Sequence, residues 1–183
     1  MRACRERSAV VLSFLAVVLI CPSVLAQSSS PGLILQADEG ERRTRRTGDF
    51  PFILKVDKKN GGSADMVMGM EDLRPGQAIP THRHLHADEI VFIHKGTAEV
   101  MLGEQKATVR EGGTVYIPRN VRIALKNPGP AMLTIVFLFP KPGFEDYLRD
   151  TSAPEGQSMP SMSPEARAQI RLKHEWHTIY DQR

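Results

Sequence analysis

Two histidines one residue apart, His82 and His84, are followed five residues later by an acid, Glu89. Side chains alternate along an extended segment, so His82 and His84 project to the same side. Glu89 opens the next apolar run and can fold back toward them. Two imidazoles and one carboxylate converging on a point form a facial triad, which suits Fe(II) or Mn(II) and leaves coordination positions open. Near neutral pH imidazole is neutral and carboxylate ionised, the states a divalent cation requires. On spacing alone, the competing account is a solvated histidine pair on an edge strand.

The elements that must position these residues read as short extended runs between turn residues. Phe50 to Asp57 ends at Asn60-Gly61-Gly62, and Ala64 to Met70 is closed by Pro75-Gly76. Glu89 to Lys95, Thr97 to Leu102, Lys106 to Arg110, Thr114 to Ile117, Val121 to Lys126 and Ala131 to Phe139 follow, each bounded by Gly, Pro or Asn. Strands at this spacing, without intervening helices, predict an all-β antiparallel sandwich or barrel over residues 50–150. After it, Phe144, Tyr147 and Leu148 fall at i, i+3, i+4 and predict a short helix. Residues 151–162 read as a Pro/Gly/Ser linker. Ser163-Pro164-Glu165 is a good helix start, and the helix is expected to run to about His177, within a 163–183 segment packed outside the sheets.

The spacing around the triad is more specific than the triad itself. Gly76, five residues, His82, one residue, His84, four residues, Glu89, six residues and Gly96 resembles the first signature of the cupin family. Gly112, then Pro118 and Asn127, resembles the second. The two stretches cover 76–127, and the strand rhythm carries the likeness from about 50 to 149. The resemblance implies a small double-sheet β-barrel of jelly-roll type, a metal held inside it by His82, His84 and Glu89, and a homodimer. The family's fourth ligand, a histidine five residues after the Pro, is Ile123 here. A glycine usual two residues after that Pro is Asn120.

This departure supports two expectations. Three protein ligands with room for water or substrate are typical of catalytic metal sites. An apolar residue at the fourth position equally suits a domain that binds a small molecule with weak metal binding or none. The family includes dioxygenases, isomerases, lyases and non-enzymatic binders, so the fold does not select the reaction. A dioxygenase-like oxidoreductase acting on a small molecule is the leading expectation. A stress or storage protein fits less well, given the small size and lack of repeats.

Further residues are candidates for the pocket or its surroundings. His86 shares parity with the ligand pair but sits near the turn before Glu89, so a rim role is expected. Tyr116 and Arg122 come from the second signature and could meet an acidic substrate. Met68, with Met66 and Met70, could form a deformable pocket wall or simply core. His94 should face away from Glu89. His174 and His177, three apart on the expected helix, could share a metal, with surface polarity the alternative. Trp176 is expected to anchor that helix.

The N-terminus changes the charge balance. Arg2, Arg5 and Arg7 precede an apolar run from Ala9 to Cys21, and Val24-Leu25-Ala26 offers small residues before a cut ahead of Gln27, the pattern of a signal peptide over 1–26. Its apolar run is shorter than the ~20 residues that span a bilayer. Secretion or periplasmic export is expected. Among 24 basic and 21 acidic residues, the cleaved segment takes Arg2, Arg5, Arg7 and Glu6, leaving 21 against 20. So small a charge gives no case for nucleic acid or an anionic membrane as partner. Cys4 and Cys21 leave too, removing any thiol ligand. Residues 27–49, with Arg42, Arg43, Arg45 and Arg46, read as a mobile arm or an edge strand. No Gly-rich phosphate loop or nucleophile elbow is present.

Overall fold

The structure, a computed structural model, describes residues 32–45, 51–60 and 65–181. The expected signal peptide and Arg46 lie outside these residues. Two antiparallel sheets face each other, as the strand rhythm predicts. The larger has seven strands in the order β11-β1-β2-β3-β10-β5-β8. Here β1 is Glu41–Thr44, β2 Phe52–Val56, β3 Val67–Leu73, β5 Glu89–Lys95, β8 Thr114–Ile117, β10 Leu133–Phe139 and β11 Ala153–Pro154. The smaller runs β12-β4-β9-β6-β7, with β4 Ala78–His84, β6 Thr97–Leu102, β7 Gln105–Arg110, β9 Ile123–Lys126 and β12 Thr178–Tyr180. Helices α1 (Phe144–Asp150) and α2 (Pro164–His174) follow β10. No described helix is long and apolar enough to cross a membrane.

Burying the inner faces of the strands drives the packing. Val91, Ile93, Val115, Ile117, Ile123, Leu125, Leu133 and Ile135 make one cluster between the sheets. Phe52, Leu54, Val67, Phe137, Phe139, Phe144 and Leu148 make a second, which α1 closes. The signature residues supply the backbone geometry between strands. Gly96 has φ +90°, and a Cβ there would lie 2.6 Å from the Met132 carbonyl oxygen. Asn120, where the family has glycine, takes φ 64°, a conformation that asparagine tolerates better than other side chains. The buried Asn127 donates to the carbonyls of Leu73 and Ala131 at 2.8 Å each and accepts from Gly129 N–H. It pins the turn into β10.

Three sequence expectations need correction. Residues 27–49 are not wholly an arm: Glu41–Thr44 is a strand between β2 and β11. Ion pairs hold it, since Arg149 reaches both Glu41 and the fully buried Asp57, while Arg43 binds Glu41 and Ser152. The 151–162 linker contains β11, whose Ala153 and Pro154 pair with Thr44 and Arg43. The C-terminal segment is not one helix. Ser163 caps α2 by accepting from Ala166 N–H, but the helix stops at His174, and Thr178–Tyr180 turns back to pair with β4.

Candidate metal centre

The site lies between the sheets, where β4 of the smaller one passes to β5 of the larger. Strand alternation turns Arg83 outward and His82 and His84 inward, and Glu89 enters from the first position of β5. One ligand atom from each of His82, His84 and Glu89 lies within 4.8 Å of the others, and all three residues are buried. The link between β4 and β5 is tied down at both ends. Asn120 N–H donates to the His84 carbonyl at 2.6 Å, and Arg119 N–H donates to Asp88 at 2.9 Å.

Hydrogen bonds orient the imidazoles. Nδ1 of His82 is 2.8 Å from the Pro80 carbonyl oxygen. A carbonyl can only accept, so the proton sits on Nδ1 and the Nε2 lone pair is free. Nδ1 of His84 is 2.9 Å from the Thr178 hydroxyl. Its Nε2 is 3.2 Å from a Glu89 oxygen but off the line of a hydrogen bond, and it is buried with no hydrogen-bond partner. A buried unpartnered nitrogen costs free energy unless something binds it. Two nitrogens and one carboxylate oxygen, converging with that nitrogen unsatisfied, are a donor set that fits a divalent cation.

Electrostatics agree with this fit. Burial holds the His84 imidazole down at about 3. Burial also lowers His82, with His84 adding to the effect and Glu89 opposing it. Burial pushes Glu89 up to about 7, against the pull of His82 and with reinforcement from Glu71. The imidazoles are therefore neutral, as ligands must be, and a cation needs to displace only the Glu89 proton.

The remaining candidates scatter. Ile123 is buried and directly opposite His82 in the β4–β9 pairing, so an apolar side chain stands beside the triad. His86 is exposed and outside the ligand cluster. Arg122 is exposed and pairs with Asp181 at 2.9 Å. Met68 and Tyr116 do not line the pocket. They share the outer face of the larger sheet in the cross-strand row Val56–Met68–Leu138–Ile90–Tyr116. His174 contacts Asp150 at 2.7 Å and fastens α2 to α1. Trp176 is half exposed, with its ring edge against His177. A concavity of about 730 Å³ lies on the outer face of the smaller sheet, lined by Ala78, Pro80, Met101, Ala124 and Lys126 among others, and no triad residue borders it.

Three residues near the site, Glu71, Thr178 and Tyr180, escape sequence reasoning, which places two others, Tyr147 and His177, on helices only. Glu71 projects inward from β3, opposite Phe52 and Ile135, and pairs with Arg45. Tyr180 stacks on His82 with ring centroids 5.1 Å apart, and Tyr147 lies 5.6 Å from Tyr180. Thr178 touches His84, and the buried His177 lies against His84 and Phe144. The run Thr178-Ile179-Tyr180 is β-branched and aromatic, a strand signal that could have found β12.

Residues 69–139 match the family model described as Cupin domain. Protein SchB of Streptomyces halstedii is 30% identical over 130 residues, 67% of this chain and 93% of that protein. Polyketide synthase CurC of Streptomyces cyaneus is 30% identical over 125 residues, 66% of this chain and 79% of that one. Among solved structures, KdgF from Halomonas sp. aligns over 63% of this chain and 99% of its own, with TM-score 0.53 and 17% identity. A predicted oxalate decarboxylase from Thermotoga maritima aligns over 60% and 100%, with TM-score 0.52 and 15% identity. These two speak for the fold alone. With the family model spanning the strands that carry the triad, and a relative similar over nearly its whole length, the chain belongs to the cupin superfamily.

Proposed function

We propose that this chain is an exported cupin that holds Fe(II) or Mn(II) through His82, His84 and Glu89 and acts as a dioxygenase-like oxidoreductase on a small molecule. The observation that carries the reading is the buried convergence of three ligand atoms, with His84 Nε2 unsatisfied. A metal at such a triad supplies open coordination positions for an oxygen-bearing substrate or dioxygen. Ile123 leaves the family's fourth position without a donor, which keeps those positions open. Phe139 and Phe144, whose rings lie 4.7 and 5.1 Å from His84, exclude water from that side. Similarity to a protein named as a polyketide synthase supports an oxygen-rich small molecule as substrate. The same Ile123 favours a second reading, a non-catalytic binder with weak metal affinity.

Metal analysis of the purified chain separates the two. One equivalent of metal is expected in the wild type and none in His82→Ala, with dioxygen uptake across a substrate panel after anaerobic iron loading. Wild type free of metal after loading would overturn the first reading and favour the second; full metal with no uptake across the panel would keep the metal site and overturn the oxidoreductase activity. Export is tested by sequencing the N-terminus of the mature protein, expected to start at Gln27.

A homodimer is the assembly we propose, through the outer face of the larger sheet. The row from Val56 to Tyr116 and the adjacent row Ile53–Met70–Val136–Phe92–Thr114 contain no charged side chain. A two-fold copy centred on these two rows would meet apolar and neutral side chains, with Arg42, Asp72 and Lys95 at the margin. Sedimentation is expected to give a dimer that Ile90→Glu dissociates. A monomeric wild type, or a dimer unaffected by Ile90→Glu, would remove this face from consideration.

A further inference from the structure

The region that matches the family model ends at residue 139, yet the strand beside the metal ligands comes from the C-terminus. Strand β12 pairs with β4 so that Thr178 lies opposite His84 and Tyr180 opposite His82. Each inward side chain of β12 thus touches one of the two histidines, Thr178 by a hydrogen bond and Tyr180 by ring stacking. Thr178 reaches further. Its Oγ1 lies 2.9 Å from Nδ1 of His84 and 2.8 Å from Nδ1 of His177, and all three residues are 5% exposed or less.

One hydroxyl between two imidazole nitrogens has a proton to account for. Among the described residues it has no third partner. It therefore accepts from one Nδ1–H and donates to the other Nδ1. Nε2 of His84 and Nε2 of His177 are both buried without a hydrogen-bond partner, so the metal decides between the two orders: a ligating His84 Nε2 must present its lone pair. That assigns the order: His84 Nδ1–H donates to Thr178, and the Thr178 O–H donates to His177 Nδ1. His177 then carries its remaining proton on Nε2.

We propose that Thr178 is a positioning residue of the metal centre, whose single hydroxyl fixes His84 with its Nε2 lone pair toward Glu89 and uses His177 as the acceptor that orients the hydroxyl. It rests on the metal reading above but makes a statement about the metal-free protein too. Outer partners of this kind contribute roughly 10- to 100-fold in metal affinity. The C-terminal segment is then part of the site rather than an external clasp.

The test uses the full chain with Zn(II) as a diamagnetic probe, plus Thr178→Val and Thr178→Ser. In the metal-free wild type, long-range nitrogen–proton NMR is expected to show His84 protonated on Nδ1 and His177 on Nε2. Thr178→Val keeps the shape but is expected to mix the His84 tautomers and weaken Zn(II) binding by roughly 10- to 100-fold, while Thr178→Ser restores both. A folded Thr178→Val with wild-type affinity and an unchanged His84 tautomer would overturn the proposal. So would a wild type with His84 protonated on Nε2, a reading that needs no variant. Wild type that binds no Zn(II) but shows the expected tautomers would defeat the metal reading and leave the role of Thr178 standing.

Discussion

Stripped of metal, the protein is expected to lose stability steeply as the pH falls from about 6.5 to 3. His84 and His177 each fall from the ordinary 6.5 to about 3, mainly through burial. Between those values the unfolded chain binds a proton at each residue and the folded chain does not, so unfolding takes up protons and acid favours it. Each histidine supplies stability that is complete above 6.5 and is lost by about 3, roughly 5 kcal/mol at most. Glu89 works in the opposite sense. Burial raises it from 4.5 to about 7, so the folded chain holds that proton while the unfolded chain releases it. Its contribution, roughly 3 kcal/mol, grows as the pH falls from 7 to 4.5.

The balance gives a slope with two parts. From 6.5 to 4.5 these three groups give a net uptake on unfolding of about one proton, or roughly 1.4 kcal/mol per pH unit, and His82, also lowered by burial, adds to it. Below 4.5 the uptake by the three doubles, because Glu89 is then protonated in both states. The loss by pH 3 is roughly 7 kcal/mol, which unfolds the metal-free protein when its total stability lies toward the low end of the usual range of about 5–15 kcal/mol. Urea midpoints at constant m-value read the slope directly. Glu89→Gln should raise the slope between 6.5 and 4.5 by one proton, to at least two. His177→Phe, a replacement suited to a site beside Phe139 and Phe144, should remove one proton from it. A flat profile between pH 6.5 and 4 in both the wild type and Glu89→Gln would show that these imidazoles are not held neutral by burial.

The legible part of this protein is the part written in apolar alternation. Strands β5 to β10 announce themselves by alternating residues and by the glycines and prolines between them, and Glu89 lies inside that rhythm, with the two histidines on the extended segment before it. Strand β1 does not. Its residues Glu-Arg-Arg-Thr are held by an ion pair to Arg149 and a hydrogen bond to Ser152, partners about a hundred positions away, which no local pattern encodes. The methionines of β3 share one face as expected, but the face is the outer one. The inward residues are Val67, Gly69, Glu71 and Leu73, and Gly69 is there because a Cβ would lie 2.3 Å from the Phe137 ring. A glycine under an aromatic ring and a carboxylate beside the site made the buried face look the more polar of the two. Strand β12 was hidden by its length, three residues after a well-capped helix.

Replacing Ile123 by histidine should tighten metal binding, and the geometry says why. Ile123 is 3% exposed and pairs directly with His82 across β4 and β9, so both side chains leave the smaller sheet toward the triad. An imidazole there adds a fourth protein ligand to a set of three, completing the usual coordination of a closed structural site. A direct ligand exceeds an outer partner in effect, so the gain is expected to surpass the roughly tenfold lower bound for such partners. The same change closes one open position and puts a polar ring where an isoleucine filled the core beside Leu125 and Val100. Metal-free Ile123→His is therefore expected to be less stable than the wild type, by about 1–3 kcal/mol, and metal should restore the difference. If the protein is an oxygen-using enzyme, Ile123→His should bind metal better and turn over more slowly. Titration of the metal-free chain with Mn(II) and Zn(II), beside dioxygen uptake, reads both effects. Unchanged affinity in a folded Ile123→His would mean that position 123 does not face the ligand atoms of His82, His84 and Glu89. Tighter binding with undiminished turnover would mean that the open position used by substrate lies elsewhere around the metal.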